Sequence, residues 1–268
     1  MRIETLPDGF AILGDCTDEA TVLAAESLIR ERDDASFGLI IADPPYGNIV
    51  HEKWDRVNVD DGLFSDWMIK WTRLWADNCL DLGGAFYVWG GLGTPGFRPF
   101  LRYLSEMEQP GKFELANLIT WKKKRAYGVQ HNYLWTREEC AYFVNGPAKK
   151  PHKFHVPLLT EKRGYAGYNA KYPAKSEFYR RSNVWTDINE LFHGKKHPTE
   201  KTQRLHEVMI ETHTDPGEWV IDPFAGSGVT AFAARKLGRK FMLVEQDETY
   251  FNDLVERLRV KIEPAEVK

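Results

Sequence analysis

Nowhere in the 268 residues does an apolar run approach the roughly 20 needed to cross a bilayer. The opening, Met1-Arg-Ile-Glu-Thr-Leu-Pro-Asp-Gly9, carries acids where a signal peptide would carry an apolar stretch. A cytoplasmic protein is therefore expected. Cysteine is scarce: Cys16, Cys79 and Cys140 are odd in number, far apart and form no Cys-x-x-Cys pair. That argues against a disulfide framework and a thiolate zinc site, and buried thiols are expected. His152 and His155, or His193 and His197, have no carboxylate or thiol at ligand spacing, so no metal is expected. There is no internal repeat.

What is present is a chain with 43% hydrophobic and 13% aromatic residues, enough for a substantial core in one large or two small domains. The formal charge of -3 hides an uneven distribution: residues 120–185 hold 14 Lys/Arg against 4 Asp/Glu, leaving 22 against 35 elsewhere. A charge run is commonly a solvated face. A segment this basic inside an acidic protein argues for a polyanionic partner, and nucleic acid leads.

Short apolar runs bounded by Gly, Pro and Asp recur, separated by longer amphipathic stretches, the alternation of an α/β, doubly wound, mostly parallel sheet. The pattern predicts strands over 10–13, 38–42, 85–89, 115–121, 141–144, 219–221 and 240–244. It predicts helices over 18–32, 63–79, 97–108, 200–212, 228–237 and 248–260. Residues 147–181 have little periodicity, and their Gly, Pro, Lys and Tyr content predicts inserted loops rather than another sheet layer.

Trp219-Val-Ile-Asp-Pro-Phe-Ala-Gly-Ser-Gly-Val-Thr-Ala231 runs from an apolar strand through a glycine turn into a helix. Such a turn lets backbone amides and a helix N-terminus approach an anionic group of a cofactor. Glycine there often serves only its permissive backbone. Here Glu245 closes the next strand about 20 residues on, where a carboxylate can accept both hydroxyls of a ribose. Gly226-Ser-Gly228-Val-Thr-Ala231 also fits the dinucleotide fingerprint, but about 40 residues follow it, too few to complete such a domain. A Walker phosphate loop is excluded by the missing Gly-Lys-Ser/Thr ending.

Leu39-Ile-Ile-Ala-Asp-Pro-Pro-Tyr-Gly47 places a carboxylate, two prolines and an aromatic beyond a buried strand. Proline cannot donate to a ladder and fixes its own φ, so the segment leaves the sheet as a stiff, extended turn. By itself it could be a strand terminator with a capping Asp. Asp43-Pro44-Pro45-Tyr46 resembles the catalytic motif of amino-methyltransferases, and Asp222-Pro-Phe-Ala-Gly-Ser-Gly228 resembles their S-adenosylmethionine motif. Their order, with the basic insertion between them, is similar to the permuted beta class of DNA adenine-N6 and cytosine-N4 methyltransferases. His197-Pro-Thr-Glu-Lys201 and Leu13-Gly-Asp15 resemble two further motifs of that class. Methyltransferases of protein glutamine and ribosomal guanine begin the catalytic turn with Asn and carry the glycine motif upstream; this chain does neither.

The resemblance implies a catalytic domain over 1–121 and 186–268, and a DNA-facing segment over 122–185. It assigns Asp222, Gly226 and Gly228 to the methionine part of S-adenosylmethionine, Glu245 to its ribose and Asp15 to its adenine edge, with Phe224 and Ser227 also among the cofactor-binding residues. Thr199 and Lys201 go to its carboxylate, although Thr199 could equally cap the helix that follows. Asp43 and the Pro44 carbonyl would accept the two amine hydrogens of a target base swung out of double-stranded DNA, turning its lone pair toward the methyl group. Tyr46 would stack on that base. Asp in first place usually accompanies adenine in the family, which favours N6 of adenine over N4 of cytosine.

In the basic segment, Lys122, Lys123, Lys124, Arg125, Lys149, Lys150, Lys153, Lys162, Arg163, Arg180 and Arg181 are candidate DNA contacts. Most would meet phosphates and a minority base edges. The resemblance places the protein in a bacterial or phage-infected cytoplasm, and leaves open a homodimer, a partner restriction enzyme and a non-catalytic nucleic-acid-binding role.

Overall fold

A computed structural model describes residues 1–33, 38–46, 61–91, 97–127, 131, 133–162, 176–189 and 201–260. Its centre is a nine-stranded sheet of order β1-β2-β11-β10-β3-β4-β6-β5-β9. In chain order the strands are β1 (Arg2–Leu6), β2 (Gly9–Leu13), β3 (Leu39–Ala42), β4 (Ala85–Gly90), β5 (Phe113–Tyr127) and β6 (Trp135–Asn145), followed by β9 (Val184–Trp185), β10 (Trp219–Asp222) and β11 (Lys240–Glu245). A separate antiparallel pair, β7 (Leu158–Lys162) and β8 (Phe178–Arg180), lies outside it. The run β2-β11-β10-β3-β4 is parallel throughout. β1 and β6 are antiparallel to their neighbours.

The helices are α1 (Glu19–Arg32), α2 (Asp61–Cys79), α3 (Phe97–Met107), α4 (Gln203–His213), α5 (Val229–Lys236) and α6 (Glu248–Arg259). Strand residues alternate between two cores. Ile40, Ala42, Phe86, Val88, Trp219, Ile221, Met242 and Val244 pack with α1, α2 and α3 on one face. Leu39, Ile41, Tyr87, Trp89, Val220, Phe241 and Leu243 pack with α4, α5 and α6 on the other. That is the period-2 consequence of a sheet covered on both sides, and it explains why these strands read as unbroken apolar runs.

The main-sheet strands and the helices expected from the sequence are present, with ends moved by a few residues. Four strands add to them: β1, β7, β8 and the two-residue β9 at the far edge of the main sheet. β1 is a short edge strand, Arg2-Ile-Glu-Thr-Leu6, in which only Leu6 is buried. The 147–181 region, expected as loops, contains β7 and β8. β5 and β6 extend well past the expected segments, so residues 122–127 and 135–145 belong to the sheet, and the boundary drawn at 121/122 falls inside β5.

β3 and β10 are adjacent and parallel, with Val220 opposite Leu39 and Ile221 opposite Ile40. The chain leaves β10 into α5 on one face, while the elements following β3 cover the other. The carboxyl ends of these two strands thus form the topological switch point, the crevice where open α/β sheets take their ligands.

Candidate active site

The glycine turn leaves β10 at Asp222, whose side chain is buried. One of its oxygens accepts from the Phe224 amide at 2.9 Å and the other from the Thr230 hydroxyl, tying both limbs of the turn to one carboxylate. Burial pushes the Asp222 carboxyl up to about 7, against the opposing effect of those two donors. Gly226 and Gly228 have φ of +48° and +81°, left-handed values that an L side chain adopts only with strain. A Cβ on Gly228 would meet Leu254 at 3.5 Å and Phe232 at 3.8 Å, ordinary contacts inside the protein. The requirement for glycine at 228 is therefore conformational. Phe224 turns inward, its ring edge-on to Trp71 at 4.8 Å and to Trp67 at 6.0 Å, and anchors the turn on α2. Ser227 is buried, and its carbonyl accepts from Arg257 at 2.8 Å.

Glu245 ends the neighbouring β11. Its carboxylate accepts from the Gly226 amide and the Asp247 amide, each at 2.8 Å, and burial raises its pKa. Asp15, just past β2, accepts from the Thr17 amide and hydroxyl, both at 2.8 Å. Three carboxylates thus close three adjacent strands at one edge of the sheet, beside a turn whose glycines leave the backbone bare. The set suits a ligand rich in donors and positive charge.

One strand away, Asp43 follows β3 at the start of the proline turn. Lys201, two residues before α4, is buried beneath it. Its ammonium lies 2.7 and 2.8 Å from the two Asp43 oxygens, 2.9 Å from the Tyr46 hydroxyl and 3.2 Å from Glu138 of β6. The Tyr46 hydroxyl also donates to Asp43 at 3.1 Å. The ring of Trp89 at 4.9 Å and that of Tyr46 at 5.2 Å enclose the ammonium. Burial alone would lower the Lys201 pKa, but Asp43 and Glu138 outweigh it and hold the group charged. Burial would likewise raise Glu138; Lys201 and Lys123 instead bring it down to about 2. Burial, reinforced by Asp43, pushes the Tyr46 phenol well above its ordinary range.

The model of the N6 and N4 DNA methylases matches residues 37–256, most of the chain. The chain belongs to this DNA methylase family. Its methyl donor is S-adenosylmethionine, and a sulfonium, an ammonium, a ribose and an adenine amine fit the three carboxylates and open turn just described. The chain is 28% identical over 247 residues to the type II methyltransferase M2.DpnII of Streptococcus pneumoniae, covering 85% of this chain and 84% of that one. It is 28% identical over 249 residues to M.BamHI of Bacillus amyloliquefaciens, where 85% of this chain spans about half, 52%, of that protein. Among solved structures, the PvuII DNA methyltransferase (cytosine-N4-specific) superposes with a TM-score of 0.67 at 18% identity, over 98% of this chain and 89% of that one, a likeness of fold.

Within this methylase fold, Asp43, Pro44, Pro45, Tyr46, Asp15, Asp222, Gly226, Gly228 and Glu245 share the carboxyl edge of the parallel strands. Lys201, expected at the cofactor carboxylate, lies against Asp43. Thr199, with the rest of the histidine-proline motif before Lys201, lies outside the described residues, as does Arg163. The basic candidates scatter. Lys122 and Lys124 are exposed on β5 toward the carboxyl edge of the parallel strands, whereas Lys123 turns inward to Glu138. Arg125 lies in β5, its side chain outside the described residues.

Lys149, Lys150 and Lys153 depart from the expected DNA face. β6 runs antiparallel to β4, so the chain beyond Asn145 emerges at the amino edge of the parallel strands, where His152 donates its amide to Gly83. Lys153 is held there by Asp215 at 2.6 Å and by Glu218. Arg181 is buried and bidentate to Asp187 at 2.6 and 2.7 Å, a structural pair. Lys162 and Arg180 are exposed on the β7–β8 pair, the first 3.2 Å from Glu177 and the second 5.6 Å from the Phe154 ring.

Glu138 escaped the sequence reading. Its signal was parity: Glu138, Cys140, Tyr142 and Val144 alternate along β6, and the last three are core residues on the α4 face.

Proposed function

We propose that this methylase transfers the methyl group of S-adenosylmethionine to the N6 amine of adenine in a specific site of duplex DNA, the target nucleotide being swung out of the helix. The observation that carries the reading is the adjacency of the two turns: Asp43 follows β3 and Asp222 ends β10, neighbouring parallel strands at the switch point. A base amine presented to Asp43 is thereby brought to the edge of the cofactor cradle.

An adenine amine is a weak nucleophile because its lone pair is delocalised into the ring. Asp43 and the Pro44 carbonyl each accept one amine hydrogen, which localises that pair and aims it; this stabilises the transition state more than the ground state. Asp43 need not be a strong base, because the amine proton becomes acidic only as the new bond forms. The cofactor supplies a methyl group activated on a sulfonium. Glu245 accepts from its ribose, Asp15 serves its adenine edge, and Asp222 holds the turn against its methionine part. Tyr46, anchored through its hydroxyl, offers a ring face to the extruded base, an interaction worth about 1–3 kcal/mol. Lys122, Lys124, Lys162 and Arg180 supply phosphate contacts.

Asp at position 43 supports adenine over cytosine. The type II designation of the relatives supports a place in a restriction–modification system. No helix among the described residues is long and apolar enough to cross a membrane, in keeping with action on DNA in the cytoplasm. The test is digestion of DNA methylated by the purified protein to nucleosides, followed by mass spectrometry. N6-methyladenine is expected; N4-methylcytosine as the main product overturns the adenine assignment and leaves the family untouched.

A further inference from the structure

Lys123, Glu138, Lys201 and Asp43 alternate in sign across the site, and come from β5, β6, the approach to α4 and the turn after β3. Lys201 is 4% exposed, against 19% for Glu138, 21% for Lys123 and 24% for Asp43, so the most buried charge is an inner link of the chain, gripped by a carboxylate on either side. A lysine ammonium is a compact charge on a flexible four-carbon stem, and a single carboxylate would leave it free to swivel. Here Glu138 grips it at 3.2 Å while Asp43 and Tyr46 hold it at 2.7–2.9 Å.

From this geometry we infer that Glu138 is a positioning residue for methyl transfer: it fixes the Lys201 ammonium beneath Asp43, and so fixes the plane in which the Asp43 carboxylate meets the target amine. The inference rests on the methyltransferase reading of Asp43. Lys123 sets how strongly Glu138 pulls. A displaced acceptor is costly, since a misplacement of about 1 Å can slow an aligned reaction roughly 100-fold.

Among the described residues, the groups facing Lys201 are Asp43 and Tyr46 from the proline turn, Glu138 and Cys140 from β6 and His206 from α4, with Lys123 behind Glu138. Burial raises the Cys140 thiol and the Tyr46 phenol and lowers His206 to about 4, leaving all three neutral near pH 7. Asp43, Glu138 and Lys123 therefore govern the charge on Lys201. Removing the Glu138 anion must make Lys201 easier to deprotonate. Removing the Lys123 cation must do the reverse.

The experiment compares Glu138→Gln and Lys123→Met with the parent in the full chain, by methyl-transfer kinetics across pH and by a nitrogen NMR titration of Lys201. Glu138→Gln is expected to lower kcat about 10- to 100-fold with the cofactor KM near the parent value. It should also move both the alkaline limb of kcat and the Lys201 titration to lower pH. Lys123→Met is expected to move both to higher pH. A parent-like kcat and limb in Glu138→Gln overturns the inference. A fall in kcat with an unmoved Lys201 titration also overturns it, since that describes a strand-pairing role. So do shifts of the same sign in the two variants. Should the parent methylate no DNA, the proposed function fails, and the Lys201 titration still decides whether Glu138 holds the ammonium.

Discussion

Replacing Asp222 by asparagine should stabilise the protein while damaging its cofactor site. The folded carboxyl sits at about 7 against an ordinary 3.8, with burial the main cause. A rise of about three pH units at about 1.4 kcal/mol each makes the ionised group a burden of ~4 kcal/mol. Because the folded pKa lies above the unfolded one, stability is fully present below pH 3.8 and is lost as pH rises through about 7. At pH 5 roughly a third of the burden has developed; at pH 8 all of it has. Asparagine removes the charge and keeps an acceptor for the Phe224 amide, but the Thr230 hydroxyl must reverse its bond, at about 1 kcal/mol. The net gain is ~3 kcal/mol at pH 8 and close to zero at pH 5. Urea melts at the two pH values measure the free-energy change, and thermal melts should show a rise in Tm of about 2–4 °C per kcal/mol for a domain of this size class. Calorimetry on the same variant should show weakened S-adenosylmethionine binding. A variant less stable than the parent at pH 8, or equally stabilised at both pH values, refutes the claim that burial of this charge is tolerated for the ligand.

Asp43→Ala should abolish methyl transfer while cofactor binding persists in calorimetry, with a smaller effect for Tyr46→Ala; activity of Asp43→Ala within a few-fold of the parent would mean the catalytic turn is misread. Neutralising Lys122 and Lys124 should lower the slope of log DNA affinity against log salt by about one for each phosphate no longer neutralised. The same change at Lys149 and Lys150, on the far edge of the sheet, should leave the slope as it is; the opposite pattern relocates the DNA surface. Gly228→Ala should cost about 1–2 kcal/mol in denaturant melts, because its φ of +81° is left-handed, and should weaken cofactor binding by tilting the turn. A parent-like melt excludes the strain.

The fold was legible because the parallel strands are short, wholly buried and bounded by Gly, Pro or Asp, while the helices between them carry one apolar face. Both turns of the site were legible for a related reason. A proline pair after a buried strand and two glycines before a helix are backbone events, and the backbone writes its needs into local sequence. β1 carries no such signal, because five residues at the sheet edge, with Glu4 and Thr5 adjacent and only Leu6 buried, show no apolar period. The 147–181 region was read as loops because β7 and β8 are brief and mostly exposed, which leaves no apolar period to detect.

Charge was the less faithful guide, because composition records how many lysines a segment holds and not which way each one faces. In β5 and β6 the direction was nonetheless encoded in parity. Ile119, Trp121 and Lys123 share one face of β5, and Ile119 and Trp121 are core residues beside α4. Trp121 stands opposite Glu138 in the ladder, and Lys122 opposite Arg137. Counting in twos from the tryptophan sends Lys123 and Glu138 inward together and leaves Lys122 and Lys124 facing solvent. What parity could not supply is the third partner. Lys201 lies just before α4, 63 residues beyond Glu138, and only the packing of that helix on the sheet brings its ammonium between two carboxylates. Had Lys123 pointed outward like its neighbours, Glu138 would face one cation instead of two, and Lys201 would have to be shared between two carboxylates with no second cation behind them. A basic run at a strand end is thus divided by the pleat: alternate residues face solvent, and the one between them completes the charge balance beneath the proline turn.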